Sequence, residues 1–237
     1  LDALNKKSAL DTNKNHARGE GIGVHYYRGA EGGTKRDSEI IHSAMYGSFL
    51  SGGLAGHVYG AEGIWGGDIE PEAPTHMWDA FLWESGEQVR HLRTFAFSIG
   101  DRFQDLEPMA DLVSPNKTHD FLGYDGWAYC ARTPDRNIFL VYFEKGCPQS
   151  EIRAAKMNSI YRAQWFNPRD GTWIDVNDDG KLSSSVIGTI VLPKLPEKTD
   201  WGLKLVYEGP SNLDPLRHVD QIPQDSRKMR IFKKYWP

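Results

Sequence analysis

The sequence is poor in cysteine and has no long apolar run. Cys130 and Cys147 are the only cysteines, too few to indicate a redox compartment. No run of about 18 apolar residues occurs, so a membrane-spanning helix is not expected. Positive charge is not in excess, since the net charge is -4 and the isoelectric point is about 6.1. This balance argues against a general binder of nucleic acids or other polyanions.

The two cysteines are predicted to be free, mostly buried thiols. Residues 127–147 predict a hairpin that turns at the sequence TPDR and places Cys130 opposite Phe139. Cys147 then lies about 26 Å further along a straight strand, at about 3.3 Å per residue. A disulfide needs Cα atoms within about 7 Å of each other.

Residues 50–68, with the sequence LSGGLAGHVYGAEGIWGGD, contain seven glycines among aromatic and hydrogen-bonding side chains. Glycine at this density is costly in backbone entropy and is used where the chain turns sharply or a ligand comes close. Two interpretations stay open. The segment is either the end of a barrel strand with its loop, forming part of a sugar-binding cleft, or a turn with buried aromatic side chains.

The rest of the first 104 residues alternates between helical and extended patterns. We expect a helix end at 1–7, a strand at 8–13, a long loop, a helix at 34–50 and a strand at 54–60. A short helix is expected at 75–83. Ser85 and Gln88 form a capping box before the next helix, whose apolar face continues to Ile99. Arg90, His91 and Arg93 are assigned to a solvated face.

The C-terminal half has a different pattern. Residues 105–116 are rich in turn formers and are predicted to be a linker. Seven short strands separated by turns follow and predict an antiparallel β-sandwich at 117–209. The sequence DVNDDGKL at 175–182 is interpreted as a hairpin turn with Asx bonds rather than a calcium loop. Residues 210–237 form a basic C-terminal extension.

Three blocks of sequence resemble one family. SFLSGGLAGHVYGAEGIW, SGEQVRHLRTFAFSIGDRFQDLEP and AQWFNPRDGTW with DWGLKLVYEG occur in the order found in the apiosidase-like glycoside hydrolases. The resemblance covers roughly residues 8–209. It implies a (β/α)8 TIM barrel followed by a β-sandwich that is often labelled a collagen-binding domain. It also implies hydrolysis of a plant or algal polysaccharide or oligosaccharide, in a secreted, periplasmic or cell-surface location.

By this resemblance, residues 1–104 are the C-terminal part of the barrel. A complete barrel of this kind has about 250 residues, so we expect a missing N-terminal segment, on this chain or another. Leu1 is not a methionine and no signal peptide is visible, which is consistent with a processed product or the tail of a longer chain.

Glycosidases use two carboxyl groups at the ends of barrel strands. The resemblance places a Glu near the end of the seventh strand, where this sequence has Asn13. An amide has no useful pKa, so Asp11 and Glu20 become the candidate catalytic residues. The partner carboxylate is expected in the missing segment.

Carbohydrate is the expected partner, and no cofactor or metal is predicted. The candidate substrate-binding residues are Asn13, His16, Tyr26, His57, Tyr59 and Trp65. Aromatic rings stack on the C–H faces of sugars, and tyrosine keeps a polar group for hydrogen bonding. The spacing of the histidines matches no standard zinc pattern.

Two alternatives to an enzyme remain open. A carbohydrate-binding protein without catalytic activity is consistent with Asn13. An adhesion module would use the sandwich, with Trp165, Trp173 and Trp201 as its contacts if they are exposed.

Overall fold

The computed structural model describes residues 38–57, 59–61, 63–64, 67–73, 76–116 and 126–211. Its helices are α1 (Ser38–Leu50), α2 (Met77–Ala80), α3 (Glu84–Gln88) and α4 (Arg90–Ala96), with 3₁₀ segments at Phe97–Asp105 and Ala110–Leu112. Its strands are β1 (Glu107–Pro108), β2 (Val113–Ser114), β3 (Ala128–Arg132), β4 (Ile138–Phe143), β5 (Glu151–Ile152), β6 (Ser159–Phe166), β7 (Trp173–Asp175), β8 (Lys181–Ser183), β9 (Ile190–Val191) and β10 (Trp201–Pro210).

The strands form two antiparallel sheets. The seven-stranded sheet has the order β1-β3-β4-β10-β6-β7, with β8 also paired to β6. The three-stranded sheet has the order β2-β5-β9. The predicted antiparallel, β-rich character is therefore confirmed. The described residues do not form a closed barrel, and the assignment of the N-terminal part to a barrel stays a prediction.

The central strands of the large sheet are buried on both faces. Leu140 and Tyr142 of β4 pack in a core with α1 and α4, whereas Phe139, Val141 and Phe143 pack in a second core with the three-stranded sheet. Successive side chains of a strand point to opposite faces, so the apolar run IFLVYF serves both cores. The fold therefore has three layers, which are helices, large sheet and small sheet.

Helix α1 lies close to the large sheet. Ile41, Met45 and Phe49, which recur at helical spacing on one face, are buried. A Cβ atom at Gly47 would lie 2.8 Å from Cζ of Tyr129 on β3, so only glycine permits this approach. The helix was expected at 34–50, and its described part begins at Ser38.

The predicted helix after Ser85 is present, but its capping box is wrong. Two segments, α3 and α4, are joined through Val89, whose φ of -54° and ψ of -35° are helical. No side chain caps α3, because the helix begins one residue earlier and the Ser85 hydroxyl lies 3.3 Å from that of Tyr59. His91, expected on a solvated face, is 6% exposed, because the turn at Gly171 packs against its ring.

Two further segments differ from their predictions. The described residues of 54–60, expected as a strand, are turns and irregular backbone, since Gly52 and Gly56 adopt φ values of 102° and 115°. Residues 105–116, expected as a linker, carry β1, which pairs with β3, and β2, which pairs with β5. The division of the chain into domains stays a prediction.

The β3–β4 hairpin has a different strand register from the predicted one. Cys130 lies opposite Val141 rather than Phe139. The amide of Thr133 donates to the carbonyl of Ile138, which leaves a four-residue loop that Asp135 stabilises by accepting from the Thr133 hydroxyl. Neither cysteine forms a disulfide, as predicted, and Cys130 is buried whereas Cys147 is half-buried.

The NDDG segment is not a hairpin turn. Strands β7 and β8 both pair with β6, so they lie end to end along one edge and residues 176–180 interrupt them. The predicted Asx bonds are present, because the Lys181 amide donates to the side-chain oxygens of Asn177 and Asp179.

Candidate functional site

The glycine-rich bend is tied to both neighbouring helices by backbone hydrogen bonds. The amide of Gly53 donates to the carbonyl of Ser48 in α1 at 2.8 Å. The amide of Asp68 donates to Gly63, and Met77 at the start of α2 donates to Asp68, both at 2.9 Å. The bend is thus held between the end of α1 and the beginning of α2.

Two predicted substrate-binding residues, His57 and Tyr59, lie in the described part of this bend. The Tyr59 hydroxyl lies 3.3 Å from the Ser85 hydroxyl, and burial raises the pKa of Tyr59. Burial also lowers the pKa of His57 below its usual 6.5. Nε2 of His57 is buried and has no hydrogen-bond partner within the described ranges. A neutral imidazole of this kind can exchange hydrogen bonds with hydroxyl groups at neutral pH.

The other predicted site residues lie outside the described residues. These are the candidate catalytic residues Asp11 and Glu20 and the candidate substrate-binding residues Asn13, His16, Tyr26 and Trp65. Their roles stay predictions.

A surface of apolar side chains next to the bend was not recognised as a candidate site from the sequence. Trp78, Phe81 and Leu82 are exposed by 50%, 65% and 83%, and Ile69 by 57%. The first three follow the i, i+3, i+4 spacing of one helical face. That spacing was the only signal of an apolar surface in the sequence. It did not identify a site, because such spacing normally indicates a helical face packed in the core.

A cluster of buried polar residues lies beneath α1. The Asp200 carboxylate is fully buried and lies 2.9 Å from Nδ1 of His42, and it accepts hydrogen bonds from Tyr142 and Arg169 at 2.9 Å each. Sequence reasoning missed it, because His42 stands within an apolar stripe and its partners are far away in the chain.

A second buried carboxylate, that of Glu144, continues this cluster. It accepts hydrogen bonds from the Ser43 hydroxyl and, at 3.0 Å, from the amide of Trp127. Asp200 and Glu144 are 0% and 1% exposed, whereas a catalytic carboxylate must reach its substrate. The cluster therefore holds α1 on the sheet.

The described strands do not present a row of exposed tryptophans, as the adhesion alternative would need. Trp165 and Trp201 are buried, with exposures of 3% and 4%. Trp173 packs against the helical core, and Nζ of Lys204 lies 4.1 Å from the centroid of its ring. The adhesion alternative depended on the exposure of these tryptophans, and Trp165 and Trp201 do not meet that condition, because alternation along the strands turns both into the core.

In the part of the chain that the structure describes, no group of three or more His, Cys, Asp and Glu side chains could hold a metal ion. None of the described helices has the length and apolar character to cross a membrane.

The match to known proteins comes from a solved structure. No family model matches the sequence, and no curated protein matches it. A solved glycoside hydrolase resembles the fold with a TM-score of 0.58 over 78% of this chain, at 17% sequence identity. The chain spans 40% of the length of that enzyme. The two proteins therefore share a fold over the matched part.

Proposed function

We propose that this chain is part of a carbohydrate-active protein of the glycoside hydrolase class, in a secreted, periplasmic or cell-surface location, that acts on plant or algal polysaccharides or their oligosaccharides. The likeness to the solved glycoside hydrolase carries the proposal. The matched part covers 78% of the chain. The predicted sandwich at 117–209 makes up only about half of that share. The likeness therefore extends beyond a sandwich that unrelated proteins also use.

In the proposed mechanism, Asp11 or Glu20 supplies one of the two carboxyl groups that hydrolysis needs. A separation of about 5 Å would give retention at the anomeric carbon, and about 6.5–9.5 Å would give inversion. His57 is the proposed hydrogen-bonding residue for sugar hydroxyls, since it lies in the glycine-rich bend and burial lowers the pKa of its imidazole, which favours the neutral form. Tyr59 and Trp65 are proposed to contact the sugar rings, with Asn13, His16 and Tyr26 as further contacts.

The test measures the release of reducing ends from galactan, arabinan and xyloglucan by the protein. Asp11→Asn and Glu20→Gln are compared with Glu72→Gln, an exposed acid outside the proposed pair. One of the first two is expected to lose about 10²–10⁴-fold in rate, the usual contribution of a catalytic acid or base. Full activity in both would contradict the assignment of these residues, and no release from any substrate by the wild type would contradict hydrolysis.

A carbohydrate-binding protein without catalysis is the second candidate. It is favoured by Asn13, which stands where the resembled family has a Glu. Saturable binding of these polysaccharides without release of reducing ends would support it.

A further inference from the structure

Helix α2 and its neighbourhood expose an unusual amount of apolar surface. Ile69, Trp78, Phe81 and Leu82, together called the Trp78 surface, are each at least half exposed. Monomeric proteins expose scattered apolar residues, but adjacent bulky ones mark interaction sites. The contrast with Trp127, Trp165 and Trp201, which are all buried, makes the exposure of Trp78 distinctive.

The indole of Trp78 is held in a fixed orientation. The imidazole of His76 stacks on one face of it, with ring centroids 4.7 Å apart and an interplanar angle of 9°. His76 is itself positioned, because Nε2 donates to the carbonyl of Glu70 at 3.1 Å and Nδ1 lies 3.6 Å from the Asp79 carboxylate. A ring that is already ordered loses little entropy when a ligand binds to it.

The Trp78 surface adjoins the glycine-rich bend. Met77, the residue before Trp78, donates its amide hydrogen to the carbonyl of Asp68, the last residue of the bend. A saccharide chain in the proposed cleft would therefore have an aromatic platform beside it.

The charges around the platform restrict the kind of saccharide. Among the described residues from 67 to 89 there is no Lys or Arg, and five acidic side chains are exposed, namely Glu70, Glu72, Asp79, Glu84 and Glu87, of which Glu87 pairs with Arg90 at 2.8 Å. Like charges repel and raise the cost of bringing an anionic polymer to this surface. A polyuronate is therefore disfavoured, whereas an uncharged sugar ring can stack on the indole.

We propose that the Trp78 surface is a stacking subsite for uncharged saccharides. This inference rests on the proposed function and specifies its substrate class. Trp78 supplies the platform, His76 orients it, and Phe81 and Leu82 extend its apolar area.

The test is affinity electrophoresis of the 237-residue chain in gels that contain galactan, arabinan, xyloglucan or polygalacturonate. The variants are Trp78→Ala and Phe81→Ala, and the matched control is Phe97→Ala, a 52% exposed aromatic outside the surface. We expect retardation of the wild type by at least one uncharged polymer and none by polygalacturonate. Trp78→Ala should weaken that binding about tenfold or more, Phe81→Ala by less, and Phe97→Ala not at all.

Three results would overturn the subsite. They are equal retardation of Trp78→Ala and wild type, an equal loss in Phe97→Ala, and stronger retardation by polygalacturonate than by every uncharged polymer. In each of them the wild type still binds a saccharide, so the proposed function survives. A wild type that no polymer retards, and that releases no reducing ends, would overturn both. Thermal unfolding of each variant shows whether a loss of binding comes from a loss of fold. Because Trp78 and Phe81 are exposed, we expect both variants to unfold at the same temperature as the wild type.

Discussion

Nδ1 of His42 and Oδ2 of Asp200 lie 2.9 Å apart at the buried interface between helix α1 and the large sheet. The two residues are separated by 158 positions in the chain. Arg169 and Tyr142 also donate to the same carboxylate. This arrangement fixes α1, and with it the glycine-rich bend that follows, to the residue that precedes β10.

Asp200→Asn should destabilise the protein by about 3–5 kcal/mol, because it removes the charge that Arg169 and His42 face in a buried site. Glu197→Gln is the matched control. Glu197 is 64% exposed and pairs with the same Arg169 at 3.5 Å, so its loss should cost at most about 1 kcal/mol. Urea unfolding monitored by tryptophan fluorescence gives both values. Equal effects would show that the buried carboxylate does not hold the helix.

Tyr46 and Tyr142 stack with centroids 4.9 Å apart but should respond differently to replacement by Phe. The Tyr142 hydroxyl donates to Asp200, so Tyr142→Phe should cost about 1–3 kcal/mol. The Tyr46 hydroxyl is buried and has no partner in the described segments, so Tyr46→Phe should be neutral or stabilising. Urea unfolding at neutral pH distinguishes them, and a larger loss for Tyr46→Phe would contradict the assigned hydrogen bonds.

Because of the same two tyrosines, we expect the free energy of unfolding to fall at alkaline pH. Burial, with the nearby charge of Asp200, raises the pKa of each well above its ordinary value. Above about pH 10 the unfolded chain loses these protons while the folded chain keeps them, so the unfolding free energy falls as pH rises. The slope should be shallower in Tyr46→Phe by up to about 1.4 kcal/mol per pH unit. An unchanged slope would contradict the pKa shift of Tyr46.

The sequence predicted those parts of the fold that rest on local periodicity. Most strands of the sandwich and the apolar stripes of α1 and α4 follow from patterns within a few residues, such as Leu92, Phe95 and Ala96. Asp200 and His42 show why the rest was missed. A pairing over 158 positions leaves no local signal, and a His in an apolar stripe resembles ordinary core.

The candidate site was less predictable than the sandwich. The bend was expected to contain a strand, but positive φ angles at Gly52 and Gly56 prevent one. Trp78 was assigned to a helix without a role, because i, i+3, i+4 spacing does not reveal whether a face meets the core or solvent. Only the packing of neighbouring segments decides that.

The two thiols should differ strongly in reactivity. Burial raises the pKa of the Cys130 thiol to about 12, whereas Cys147 is half-buried. The thiolate is the reactive form, so iodoacetamide should modify Cys147 in the native protein and Cys130 only after unfolding. Peptide mass spectrometry identifies the labelled residue, and Cys147→Ser serves as the control that should stay unlabelled. Equal labelling of both cysteines would contradict the buried position of Cys130.

Asn116 begins an Asn-Lys-Thr sequon but should not carry a glycan in the folded protein. Its Nδ2 donates to the carbonyls of Ala110 and Ala128, and its Oδ1 accepts from the Ala128 amide. A glycan would remove at least one donor from this bridge, and Asn116→Asp should cost about 1–3 kcal/mol for the same reason. Mass spectrometry of protein secreted from a glycosylating host checks this. Stoichiometric modification with unchanged stability would refute the bridge.

The most direct test of saccharide recognition is isothermal titration of the chain with oligosaccharides of galactan, arabinan and xyloglucan. Binding is required whether the protein hydrolyses its ligand or only holds it. We predict saturable heat with at least one of them, and a weaker affinity in His57→Ala, whose imidazole is the proposed partner of sugar hydroxyls. An absence of heat with all three, from protein shown to be folded by its unfolding transition, would contradict the account.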